Sequence, residues 1–124
     1  MLQPVETIKL FQKNDEGPKK FTAGEVIFEE GAKGEVMYGI IEGEVEMFVH
    51  GKLVETIQPG DVFGEGAIVH LDHKRTSKAV AKTDCILACL NKERFLFAVE
   101  NTPLFALEVM RSYSDRFRRL KELI

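Results

Sequence analysis

Residues 36–57, VMYGIIEGEVEMFVHGKLVETI, decide how this chain folds. They contain three runs of β-branched and aromatic side chains, 36–41, 45–49 and 53–57, separated by Gly43 and by His50-Gly51-Lys52. In the middle run Val45, Met47 and Val49 alternate with Glu44, Glu46 and Phe48, the period-two pattern of a strand with one face toward a core. His50-Gly51-Lys52 has the composition of a tight hairpin turn. Outward from this stretch further short apolar runs follow at 26–28, 62–63, 77–81 and 85–90, and Gly24, Gly31, Gly34, Gly43 and Gly60 fall between runs. Many short strands punctuated by turns predict a sandwich or barrel from about residue 20 to 90.

Beyond Leu90 the period becomes helical. Asn91 is suited to cap a helix over 92–100 that buries Phe95, Leu96 and Val99. Thr102 and Pro103 then read as a second helix start, the threonine as cap and the proline in the first turn. The long helix expected over 103–123 carries Leu107, Met110, Tyr113, Phe117, Leu120 and Ile124 at steps of three and four, an apolar seam that calls for a partner. That partner is either the β layer or the same helix of a second subunit. Arg111, Arg116, Arg118, Arg119 and Lys121 are expected on the opposite, solvated face and in the last turns, where positive charge complements the helix dipole.

With 124 residues the chain is expected to form one domain, residues 1–124. A net charge of −3 argues against broad nucleic-acid binding, which rests on clustered Lys and Arg against phosphates. No run approaches the ~20 apolar residues of a membrane span, and the first residues lack the pattern of a secretory signal, so a cytoplasmic location is expected. Cys85 and Cys89 fall on one predicted strand, which puts their Cα atoms about 13 Å apart. Disulfide formation needs less than ~7 Å, so both are read as buried thiols.

The chemistry concentrates at 63–77, FGEGAIVHLDHKRTS. Gly64-Glu65-Gly66-Ala67 reads as the start of a short helical turn whose bare amides can receive an anion. Arg75 could add paired, charge-assisted hydrogen bonds to phosphate oxygens, and Thr76 and Ser77 supply hydroxyls. Glu65 would repel a phosphate, so its carboxylate is better matched to a sugar hydroxyl. His70, Asp72 and His73 offer metal-ligand chemistry, but they cluster in one exposed loop, and no metal is expected. No serine or cysteine has an evident histidine partner, so no catalysis is expected either.

Residues 24–31 (GEVIFEEG), 34–45 (GEVMYGIIEGEV), 59–65 (PGDVFGE), 75–77 (RTS) and 83–85 (TDC) together resemble the cyclic nucleotide-binding domain family, and more narrowly bacterial catabolite activator-like sensor domains in a stand-alone form. The resemblance runs from about residue 4 to 123. It implies a double-stranded β-helix, or jelly roll, with a long C-terminal helix. It also implies a phosphate-binding cassette in which Phe63, Gly64, Glu65, Gly66, Ala67, Arg75, Thr76 and Ser77 hold cAMP or cGMP as ligand, with no other cofactor. Glu65 would take the ribose 2′-OH and Arg75 the cyclic phosphate. A threonine directly after the arginine, here Thr76, is common in relatives that prefer cGMP. Three positions depart from the pattern: Gly66 replaces a larger aliphatic residue, Lys74 a proline and Lys78 a threonine. Gly66 is expected to loosen the turn.

The function expected on this basis is a cytoplasmic cyclic nucleotide sensor acting through the 103–124 helix, either in a homodimer or on an unidentified protein partner. The chain as read contains no DNA-reading helix-turn-helix, and direct DNA binding is not expected. The alternative is an interaction or structural module of the same fold that does not bind cyclic nucleotide.

Overall fold

A computed structural model describes residues 3–12 and 18–124. Among the described residues eight strands form two four-stranded antiparallel sheets. They are β1 (Lys19–Phe21), β2 (Val26–Phe28), β3 (Val36–Glu42), β4 (Val45–Val49), β5 (Lys52–Ile57), β6 (Val62–Phe63), β7 (Lys78–Ala81) and β8 (Cys85–Asn91). One sheet runs β1-β8-β3-β6 and the other β2-β7-β4-β5. Flanking them are the helices α1 (Pro4–Phe11), α2 (Gly66–Val69), α3 (Lys92–Asn101) and α4 (Leu104–Glu122).

Both faces of the first sheet are buried, one against the second sheet and one under the helices. In β8, Cys85, Leu87 and Cys89 point into the space between the sheets, where they meet Tyr38, Ile40, Val45, Met47 and Phe63. Ala88 and Leu90 point the other way and join Met37, Ile8, Phe105 and Val109 under the helices. A strand buried on both faces must be apolar at successive positions, which accounts for the unbroken run CILACL at 85–90. Both cysteines are buried and neither forms a disulfide, as expected. The β4–β5 hairpin turns on His50 and Gly51, both with positive φ, the geometry whose twist matches the flanking strands.

The helices agree with expectation in part. Asn91 caps α3, its side chain accepting from the Arg94 amide at 2.8 Å. Within α3, Phe95 and Val99 are partly buried, but Leu96 is half exposed, because α3 turns only a narrow stripe onto the β layer. Thr102 does not cap α4 through its hydroxyl; it is the last residue of the α3 turn, and its carbonyl receives the Phe105 amide. The α1 helix was not foreseen. It packs Val5 and Ile8 so closely on β3 that a β-carbon at Gly39 would lie 2.9 Å from Val5.

Candidate functional site

The cassette begins where β6 ends. Gly64 has φ +79°, Glu65 follows in helical conformation, and α2 starts at Gly66. The amides of Glu65 and Gly66 have no backbone acceptor among the described residues. The chain then returns through a loop to Arg75, which is tied to the β2–β3 connection. The Gly31 amide donates to the Arg75 carbonyl and the Arg75 amide to the Ala32 carbonyl, both at 2.8 Å, and the Gly34 amide donates to the His73 carbonyl at 2.9 Å.

These bonds carry the Arg75 side chain inward, where it is only 5% exposed. Nη1 donates to the Gly64 carbonyl and Nη2 to the Val36 carbonyl, each at 2.8 Å. The guanidinium carbon lies 4.1 Å from the centre of the Phe28 ring, within cation–π range. The close fit requires two glycines, since a β-carbon at Gly34 would sit 2.4 Å from the guanidinium and one at Gly64 2.9 Å. Among the described residues the buried Nε has no hydrogen-bond partner, and no carboxylate forms an ion pair with Arg75. Burial lowers its pKa from the usual guanidinium value, against the opposing influence of Tyr38 and Glu65. A buried charge with an unused donor is costly unless something anionic meets it.

A cavity of about 220 Å³ opens in front of this arginine. Phe63, Gly64, Glu65, Gly66, Arg75, Thr76 and Ser77, all expected from sequence, line it together. Ala67 does not: it is buried behind the turn, and its carbonyl receives the His73 ring at Nδ1, 2.8 Å away. Phe28 and Met47 close one wall, Glu55 enters from β5, and α4 covers the opening with Tyr113, Arg116, Phe117 and Leu120. At Gly66 a β-carbon would meet the His70 ring at 2.8 Å, an exposed side chain that can turn aside.

Arg116 is the residue that sequence reading misplaced. It does not stand on the solvated face but is 6% exposed. Nε donates to Glu55 Oε1 at 2.5 Å and Nη2 to Oε2 at 3.3 Å, while Nη1 donates to the Val62 carbonyl. Burial alone would lower its pKa, but Glu55, Tyr113 and Asp61 outweigh that and raise it. One turn earlier, the Ser112 hydroxyl donates to Asp61 at 3.1 Å. The signal was in the spacing: Phe105, Val109, Ser112 and Arg116 recur at steps of four, three and four, and this is the face that α4 buries. The apolar seam divides. Tyr113, Phe117 and Leu120 line the cavity, Phe117 while still 59% exposed, whereas Leu107 (54%) and Met110 (65%) lie off it and remain largely exposed. Burial pushes the Tyr113 phenol well up, and the negative Glu65 adds to the effect.

A jelly roll with a glycine-framed arginine, an adjacent carboxylate and a helix laid across the opening defines a class of small-ligand-binding regulatory modules. The family description "cyclic nucleotide-binding domain" matches residues 18–102, and the chain belongs to that family. It is 39% identical over 97 residues to a cAMP-dependent protein kinase regulatory subunit of Aspergillus fumigatus, covering 76% of this chain and 22% of that protein. A cGMP-dependent protein kinase of Drosophila melanogaster, isozyme 2, is 32% identical over 98 residues, covering 79% of this chain and 9% of that protein. The chain thus spans only a fraction of the length of these relatives. Among solved structures, the Thermus thermophilus catabolite activator protein superposes with a TM-score of 0.77 at 24% identity, over 95% of this chain and 55% of the other, which is a likeness of fold. No described helix is long and apolar enough to cross a membrane.

Proposed function

We propose that this chain is a non-catalytic sensor that binds cAMP or cGMP in the Arg75 cavity and transmits occupancy through α4. The carrying observation is the Arg75 guanidinium, buried among glycines, without a carboxylate partner and with Nε unused. A cyclic phosphate would supply the missing anion. The free amides of Glu65 and Gly66 and the hydroxyls of Thr76 and Ser77 would complete the phosphate contacts, and Glu65 would accept from the ribose 2′-OH. Because α4 contributes part of the cavity wall, a ligand that contacts it favours the conformation in which helix and cassette are packed together. The exposed stripe of Leu107 and Met110 is the surface through which that change would reach a second copy of the chain or another protein.

Isothermal titration with cAMP and cGMP tests this. Binding of at least one nucleotide is expected, with Arg75→Ala weakening it about a hundredfold, the loss of two charge-assisted hydrogen bonds. Absence of heat for both nucleotides at high micromolar concentration would refute the reading. The alternative module that binds no nucleotide is favoured by the exposed stripe, which needs no ligand to act. It gains if neither nucleotide raises the melting midpoint while Leu107→Glu and Met110→Glu convert a dimer into a monomer, read by light scattering.

A further inference from the structure

Phe28 meets Arg75 because β2 is irregular. In a plain strand neighbouring side chains point to opposite faces, so Ile27 and Phe28 should part, one inward and one outward. The β2–β7 pairing instead steps from Val26 opposite Val80 to Phe28 opposite Ala79, two residues along β2 against one along β7. Ile27 is the extra residue of a β-bulge, and both Ile27 and Phe28 pack against the core between the sheets. A bulge re-aims a side chain, and here it delivers the Phe28 ring to the cavity wall. The ring centre lies 4.1 Å from the Arg75 guanidinium carbon, against 5.8 Å for the Tyr38 ring. Tyr38 and Phe63 back the Phe28 ring, with centroids 6.2 and 6.0 Å from it.

We propose that Phe28 is a positioning residue for anion capture, an inference that rests on the cyclic-nucleotide reading above. Its ring braces the face of the Arg75 guanidinium, so that the donors are in place before the phosphate arrives. Three strands supply the three points that fix a plane. The carbonyls of Gly64, after β6, and of Val36, on β3, each take one Nη hydrogen, and β2 brings the ring. Of the five N–H groups of a guanidinium, these two bonds leave three: Nε–H and one on each Nη. The two carbonyls alone would let the group tilt about the line between them, and the ring stops that tilt. A ring face attracts a cation without consuming a donor, whereas a carboxylate in its place would neutralise the charge and occupy the N–H groups. A site whose competent arrangement is only partly populated loses affinity in proportion to the missing fraction. Loosening Arg75 therefore weakens binding without any contact between Phe28 and the phosphate.

The test is calorimetric titration of the intact chain with cAMP and cGMP, before and after two kinds of change at Phe28. Phe28→Leu removes the ring and is expected to weaken whichever nucleotide the unaltered protein binds by about tenfold, within the range of a desolvated cation–ring contact. Replacing Phe28 with its mono-, di- and trifluorinated forms nearly keeps the shape of the ring but withdraws negative charge from its face. Affinity is expected to fall stepwise along that series, which a ring that merely fills space would not produce. Equal affinity across the fluorinated series overturns the assignment while leaving the sensor reading intact, and so does an undiminished affinity in Phe28→Leu. If Phe28→Leu does not fold, the fluorinated chains decide. Failure of the unaltered protein to bind either nucleotide refutes the sensor reading itself, and this inference with it.

Discussion

Two arginines are buried at one cavity, and they are held in opposite ways. Arg75 leans on the Phe28 ring, gives its Nη donors to the carbonyls of Gly64 and Val36, and has no acidic partner among the described residues. Arg116 grips Glu55 with two nitrogens and the Val62 carbonyl with the third. The pKa directions follow: burial lowers that of Arg75, whereas Glu55 and its neighbours raise that of Arg116 against burial. One charge is neutralised within the fold, and the other has no ion pair among the described residues. Burial alone therefore does not tell two arginines apart; the partner does.

The sharpest way to break this contrast is to remove each arginine and compare unfolding in urea without ligand. Arg116→Ala strands Glu55 against the covering helix and is expected to cost about 3 kcal/mol. Arg75→Ala leaves only two carbonyls unpaired and should cost about 1–2 kcal/mol. Equal losses would erase the distinction. Next, Gly34→Ala thrusts a β-carbon to 2.4 Å from the Arg75 guanidinium, and overpacking of that kind costs about 1–3 kcal/mol. Nucleotide affinity is expected to fall with it, while the Arg116 clamp stays intact.

A smaller effect is expected at alkaline pH. The Tyr113 phenol is raised well above its ordinary value, by burial first and by Glu65 second, and the Tyr38 phenol is raised by burial. The unfolded chain loses these protons first, near the ordinary phenol value of about 10, so the contribution is fully present below that pH and is lost as pH rises above it. Tyr113→Phe should flatten part of this decline in urea midpoints measured between neutral and alkaline pH, with the rest remaining on Tyr38. The smallest change comes from Gly66→Ala. Alanine removes the glycine entropy cost in the α2 turn, and the obstructing His70 ring is exposed and free to swing away. A gain of about 0.5 kcal/mol is expected, read as a higher urea midpoint.

The β layers were legible because period-two alternation is a direct imprint of two faces. Val45 and Met47 point into the core as their spacing requires, and the glycine-bounded runs fall close to the observed strands. All but one of the expected cassette residues line a common cavity, since turn and arginine are near neighbours in the chain. What escaped depends on contacts distant in sequence. Glu55 and Arg116 are 61 residues apart, and each on its own reads as an ordinary surface charge. Ala67 fits the local pattern, yet its side chain faces away from the cavity, because a helical turn directs successive residues around its axis. Leu96 shows the same limit in α3, where an apolar residue belongs to the helix but not to its buried stripe.

The arginine loop is stitched to residues 31–34 by three backbone bonds through Gly31, Ala32 and Gly34. Two stretches far apart along the chain are thus joined into one plate. A tug on the Arg75 head group is felt by the β2–β3 bend at the same instant as by its own loop. Deuterium uptake at the amides of Gly31, Gly34 and Arg75 should therefore slow as a set when a ligand arrives, which makes those three protons a built-in gauge of occupancy.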